Sequence, residues 1–299
     1  MTYEEFKGEI VPRIKDVLMD DCIVTIEKVT KNNDSIYDAI VIKEPGKNVI
    51  PTIYLNYYYS PNVDYDELEV IVHSIIDCYE HNKNVSQDDY SWVMDYNAVA
   101  GNVKIRLVNR DFNVQFLKNI PYINFLDLAV CFYVTTNVTK DGSSNEGSII
   151  INNEIFKNWN IELEKLYEAA IINTQSEYSP YFVHLAELLE EQGTLIEEFG
   201  DFSKECFPIY VLSNNIRMYG ASVILYEEVI KTISDGFDCN LIIIPCSIHE
   251  VLILPEQYGV DIEMINEQIR YVNRTELFES DVLSNHAYIY DRSIGKITF

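Results

Sequence analysis

The sequence predicts an α+β fold, with mixed, mostly antiparallel sheets covered by helices. Three observations carry that expectation. The N-terminal third reads as helix, hairpin, strand and helix in that order. The last third alternates short apolar runs with amphipathic helices. Apolar residues make up 47% and charged residues 23% of the chain, the proportions of a protein that buries a core.

Taken in order, the first helix is signalled by Thr2 and Glu5, which form a capping box, and by Phe6, Ile10, Ile14, Val17 and Leu18 on one stripe. Residues 23–29 and 36–42 read as strands joined by the turn-rich Lys31-Asn32-Asn33-Asp34, a hairpin signal. A third strand over 52–59 precedes a helix capped by Asp64 with Glu67, whose apolar face is Leu68, Ile71, Val72, Ile75 and Tyr79.

In the middle, 103–108 reads as a strand and 125–135 as a longer one interrupted by Asp127, whose side chain is expected on the solvent side. Residues 140–147 read as a polar loop at a hairpin end, with 149–151 as the return strand. Helices are expected over about 161–172 and 181–191. Beyond them, 209–212 and 221–226 look extended and 227–233 helical. Two apolar strands, 241–244 and 251–254, come before a helix opened by Asp261, and a hairpin over 288–297 closes the chain. The chain is one domain or two lobes, 1–120 and 121–299, with the boundary in 119–122.

Charge narrows the partners. With 22 Lys+Arg against 48 Asp+Glu, the formal net charge is −26. Such a surface repels phosphate backbones and anionic headgroups, so direct binding to nucleic acid or membrane is not expected. It favours a basic protein surface, or occupation of the groove of a nucleic-acid-binding protein by charge mimicry. Its plainest consequence is a well-solvated surface. The six cysteines are dispersed, no signal peptide is visible at the N-terminus, and no apolar run approaches the ~20 residues of a membrane span, so a cytoplasmic location is expected.

Motif searches return little. No Gly-x-Gly, P-loop, Cys-x-x-Cys, His-Glu-x-x-His or Gly-x-Ser-x-Gly is present, and no cofactor or metal is expected. One constellation, Pro245-Cys246-Ser247-Ile248-His249-Glu250, places a thiol, a hydroxyl, an imidazole and a carboxylate between two apolar strands. In an extended chain Ser247 and His249 share a face while Cys246 and His249 do not, so Ser247, His249 and Glu250 are the catalytic candidates; a polar turn between buried strands is the plainer reading. Arg217 is a candidate for an anion at a turn mouth. Glu190, Glu191, Glu197 and Glu198 form the densest acidic stretch and are candidates for a basic partner.

Five strings carry a resemblance: Pro51-Thr52-Ile53-Tyr54-Leu55, Phe125-Leu126-Asp127-Leu128-Ala129, Met218-Tyr219-Gly220-Ala221, Ser247-Ile248-His249-Glu250-Val251 and Tyr288-Ile289-Tyr290-Asp291-Arg292. Together they resemble a family of uncharacterised proteins from gut Clostridia, a domain of unknown function, over nearly the whole chain. The resemblance implies no activity. It implies an accessory or host-conflict role beside mobile-element genes, and a serine where this chain has Cys246, which lowers the standing of a thiol nucleophile. Two functions follow as expectations: a non-catalytic acidic interaction module for a basic partner, or a hydrolase-like enzyme using Ser247, His249 and Glu250.

Overall fold

The computed structural model describes residues 1–18, 21–45, 52–82, 90–140, 143–191, 193, 208–256 and 259–299. It divides into two compact units. One comprises Met1–Lys31, Ser35–Tyr90 and Asn137–Gly147; the other comprises Asn32–Asp34, Ser91–Thr136 and Ser148–Phe299. Residues 119–122, where the sequence places a boundary, lie inside the second unit.

In the first unit, helix α1 (Tyr3–Val17) starts at the expected capping box: Thr2 Oγ1 accepts from the Glu5 N–H at 3.3 Å, and Glu5 Oε2 accepts from the Thr2 N–H at 2.8 Å. Its buried stripe is Phe6, Ile10 and Ile14, while Val17 is exposed. Strands β1 (Ile23–Thr30) and β2 (Ile36–Lys43) pair antiparallel, closing at Thr30 and Ile36. Strand β3 (Ile53–Tyr54) is far shorter than expected. At Asn56 the side-chain Oδ1, not a ladder carbonyl, takes the Asp38 N–H at 2.9 Å, and the chain turns into a 3-10 segment. Helix α2 (Tyr65–Asn82) is capped by Asp64, whose Oδ1 accepts from the N–H groups of Asp66 and Glu67. Leu68, Val72, Ile75 and Tyr79 bury against Phe6, Ile10, Val24 and Ile40. Each such side chain contributes about 1.5–3 kcal/mol of apolar burial.

The second unit opens with helix α3 (Tyr96–Val99), strand β4 (Val103–Asn109) and helix α4 (Val114–Leu117). Strands β5 (Tyr122–Phe125), β6 (Leu128–Lys140) and β7 (Ser143–Ile150) follow, in a sheet ordered β4-β6-β5 with β7 on β6; the stretch Asn137–Gly147 of this hairpin is counted with the first unit. The single strand expected over 125–135 is a hairpin instead. Leu126 adopts φ +56°, and the chain reverses through Asp127 so that Phe125 pairs with Leu128. The polar stretch expected as a loop is largely strand, because β6 runs to Lys140 and β7 begins at Ser143.

Helices α5 (Asn153–Trp159), absent from the sequence reading, and α6 (Leu163–Glu177) come next. The expected helix over 181–191 begins as strand β8 (Pro180–His184). Its Tyr-Phe-Val run pairs with β9 (Tyr210–Asn214), and only Leu185–Glu191 is helical, as α7. Most of the Ala221–Tyr226 stretch, expected to be extended, lies in a wholly buried 3-10 segment, Gly220–Leu225, with Tyr226 following it. Helix α8 (Glu227–Phe237), strands β10 (Leu241–Pro245) and β11 (Val251–Pro255), and helix α9 (Ile262–Thr275, capped by Asp261) follow as the sequence predicts. So does the closing hairpin of β12 (Tyr288–Asp291) and β13 (Lys296–Thr298). The second sheet runs β13-β12-β10-β11-β9-β8, antiparallel throughout. One core joins both sheets of this unit through Val103, Ile105, Val130, Phe132, Leu212, Val223, Ile243 and Ile253. Among the described residues no helix is long and apolar enough to cross a membrane.

Candidate functional site

The Cys246–Glu250 constellation is the turn between β10 and β11, closed by the pairing of Pro245 with Val251 and by the Ser247 N–H on the Glu250 carbonyl at 3.1 Å. The Ser247 hydroxyl is buried and accepts the His249 N–H at 3.0 Å. His249 Nδ1 accepts the Tyr219 N–H at 3.2 Å, which leaves the imidazole proton on Nε2. The His249 carbonyl takes the Ser213 hydroxyl at 2.8 Å. Serine and histidine therefore both serve backbone donors; no bond between Ser247 Oγ and the imidazole is formed, and a nucleophile–base pair needs one. Burial first, then the Glu250 charge and its hydrogen bond, push the Cys246 thiol up to about 12, so it stays protonated.

Gly220 explains how Tyr219 reaches this turn. A Cβ there would lie 2.1 Å from Ser213 Oγ and 2.5 Å from the His249 carbonyl oxygen, so only glycine lets the two segments approach. Tyr219 itself is held at φ +53°, and its ring stacks on the His249 imidazole at 5.8 Å.

The binding candidates Arg217 and Glu191 come together. Arg217 Nη2 lies 3.9 Å from Glu191 Oε2, donates to the Tyr181 hydroxyl at 3.0 Å, and its guanidinium packs 4.8 Å from that ring. The arginine is thus engaged within the protein. Glu190 is exposed on α7, while Glu197 and Glu198 lie outside the described residues.

Asp127 departs from expectation. Its side chain is half-buried and paired rather than solvated, because the Leu126–Asp127 reversal turns it inward onto four donors. These are the Tyr288 hydroxyl at 2.8 Å, the Ser284 hydroxyl at 2.9 Å, His286 Nε2 at 3.1 Å and Asn109 Nδ2 at 3.3 Å. Burial alone would raise the carboxyl, but the hydrogen bonds from His286, Tyr288 and Ser284 outweigh it and hold Asp127 below the ordinary carboxylate value. His286 is raised, chiefly by Asp127 against its own desolvation, and its Nδ1 meets the Ala287 carbonyl at 3.2 Å. The sequence signalled only one polar residue between leucines; three of its partners, Ser284, His286 and Tyr288, lie about 160 residues away along the chain.

Also missed was a cleft of about 470 Å³ between α6 and the start of α8. Tyr167, Ile171, Leu225 and Val229 give it an apolar wall, and the exposed Glu227 and Glu228 stand at it. Neither carboxylate lies within ion-pair distance of a basic side chain among the described residues, although Lys231 feels the charge of Glu228. Among those residues no group of three or more His, Cys, Asp or Glu side chains is placed to hold a metal ion.

These features define an α+β protein whose polar clusters lock turns between antiparallel strands. The chain belongs to the family of unknown function DUF5688, whose model matches residues 3–292, nearly its full length. Neither the curated proteins nor the solved structures give a match.

Proposed function

We propose that the protein is an acidic, non-catalytic cytoplasmic interaction module that binds a basic protein surface, including that of a nucleic-acid-binding protein. The observation that carries this reading is the cleft at α6 and α8, where two exposed carboxylates, Glu227 and Glu228, stand beside an aromatic and aliphatic wall. A lysine or arginine of a partner would lay its methylene stem on Tyr167 and Ile171 and bring its charge to the glutamates.

The charge balance supports the same reading. Several cations are occupied internally: Lys7 by Glu4 and Asp38, Arg13 by Glu9 and Glu69, and Arg292 by Asp235 and Asp238. Acidic groups thus dominate what a partner meets, in a chain of formal charge −26. For the compartment, Cys131, Cys239 and Cys246 are thiols, which suits a reducing environment. The roles of Ser247 and His249 as backbone acceptors weigh against the hydrolase-like alternative.

The test is retention of basic proteins from a native-host lysate at low and high salt by the immobilised protein, beside a Glu227→Lys/Glu228→Lys variant. Salt-sensitive capture that the variant loses is the expected result.

A further inference from the structure

We propose that Arg106 is the seat of an oxyanion site, taking a phosphate or carboxylate group on the end of its guanidinium. Arg106 lies on β4 opposite Cys131 of β6 and is only partly exposed. Its guanidinium carbon sits 5.5 Å from the Phe116 ring centroid and 5.1 Å from that of Tyr219. Nη1 donates to the Tyr219 hydroxyl at 3.2 Å, and Nε is buried without an acceptor.

No carboxylate among the described residues pairs with this arginine, although the chain carries 48 acidic residues against 22 basic ones. The contrast with its neighbours is direct. Lys104, two residues earlier on the same strand, meets Glu177 Oε2 at 2.5 Å, and Arg217 meets Glu191. The arginine expected at a turn mouth is occupied, whereas Arg106 meets no carboxylate among the described residues.

A part-buried guanidinium loses hydration that two aromatic rings restore only in part. With Nε sealed and one Nη1 hydrogen on Tyr219, the remaining donors are the second Nη1 hydrogen and those of Nη2. This end-on fork matches the two oxygens of a carboxylate or a phosphate. The ring beside it is fixed from two further sides, by Tyr133 in edge contact at 5.5 Å and by His249 at 5.8 Å. Tyr219 keeps this place in a left-handed backbone conformation that costs a non-glycine residue energy, as functional positions often do. The site is independent of the cleft at Glu227 and Glu228.

The experiment titrates the full-length, ¹⁵N-arginine-labelled chain with sodium phosphate, and separately with sodium acetate, against sodium chloride at matched ionic strength. The Arg106 Nε–Hε resonance is assigned by its contacts to the Phe116 and Tyr219 rings. A saturable shift with phosphate alone assigns a phosphate group, and one with acetate assigns a carboxylate. In either case Arg106→Gln is expected to weaken binding about tenfold or more, while Tyr219→Phe, which keeps the ring, retains it. The absence of a saturable response to both anions overturns the proposal, and this reading needs no variant. Unchanged affinity in a folded Arg106→Gln protein overturns it equally.

Discussion

The backbone N–H of Tyr219 donates to Nδ1 of His249 at 3.2 Å, joining two segments 30 residues apart. The bond uses the one histidine that sequence reasoning placed in a catalytic role, and uses it to hold a turn. The adjacent Gly220 makes the approach possible, since its missing Cβ leaves room for the His249 carbonyl.

Replacing Gly220 by alanine therefore forces a backbone shift in the buried 3-10 segment. The expected loss is about 3 kcal/mol, at the upper end for overpacking. Urea denaturation of Gly220→Ala beside wild type measures it; a change under about 0.5 kcal/mol would mean that the segments are not so closely apposed.

The Asp127–His286 pair gives stability a pH window. His286 is raised on folding, so its contribution is fully present below about pH 6.5 and is lost as pH rises through its folded value. Asp127 is lowered, so its contribution is present above about pH 4 and is lost as pH falls through its folded value. Between those limits both charges stand. Asp127→Asn should reduce the difference between the urea midpoints at about pH 5.5 and pH 8.5. An undiminished difference would assign the alkaline loss to other groups.

Cys246 should resist alkylation. Its thiol is pushed to about 12 by burial and by Glu250, and burial alone raises Cys131 to about 12 against the small opposing effect of Arg106. Iodoacetamide at about pH 8 is expected to leave both unmodified in the folded chain and to modify both in urea, as peptide mass spectrometry would report. Rapid labelling of Cys246 in the folded protein would reopen a thiol role.

Local signals made much of the fold legible. Capping at Thr2, Asp64 and Asp261, the Lys31–Asp34 turn and the paired apolar runs at 241–244 and 251–254 act over a few residues and appear where the sequence puts them. The failures share a cause, which is that a distant partner decided them. Residues 180–184 become strand because β9 offers a ladder, and 220–225 coil into a 3-10 segment against Ser213 and His249. Asp127 turns inward because His286 and Tyr288 wait for it. At the candidate site residue types were legible without their directions. Ser247 and His249 do share a turn, but their polar atoms point to backbone donors, and Glu227 and Glu228 read only as the start of a helix.

The most direct measurement of the interaction proposal is quantitative capture from a native-host lysate at ~50 mM and ~500 mM salt, where screening shortens the reach of surface charge severalfold. The wild-type chain is expected to retain a basic protein at low salt and release it at high salt, with Glu227→Lys/Glu228→Lys retaining little at either. No salt-sensitive basic partner, or equal retention by the charge-reversed variant, would contradict it.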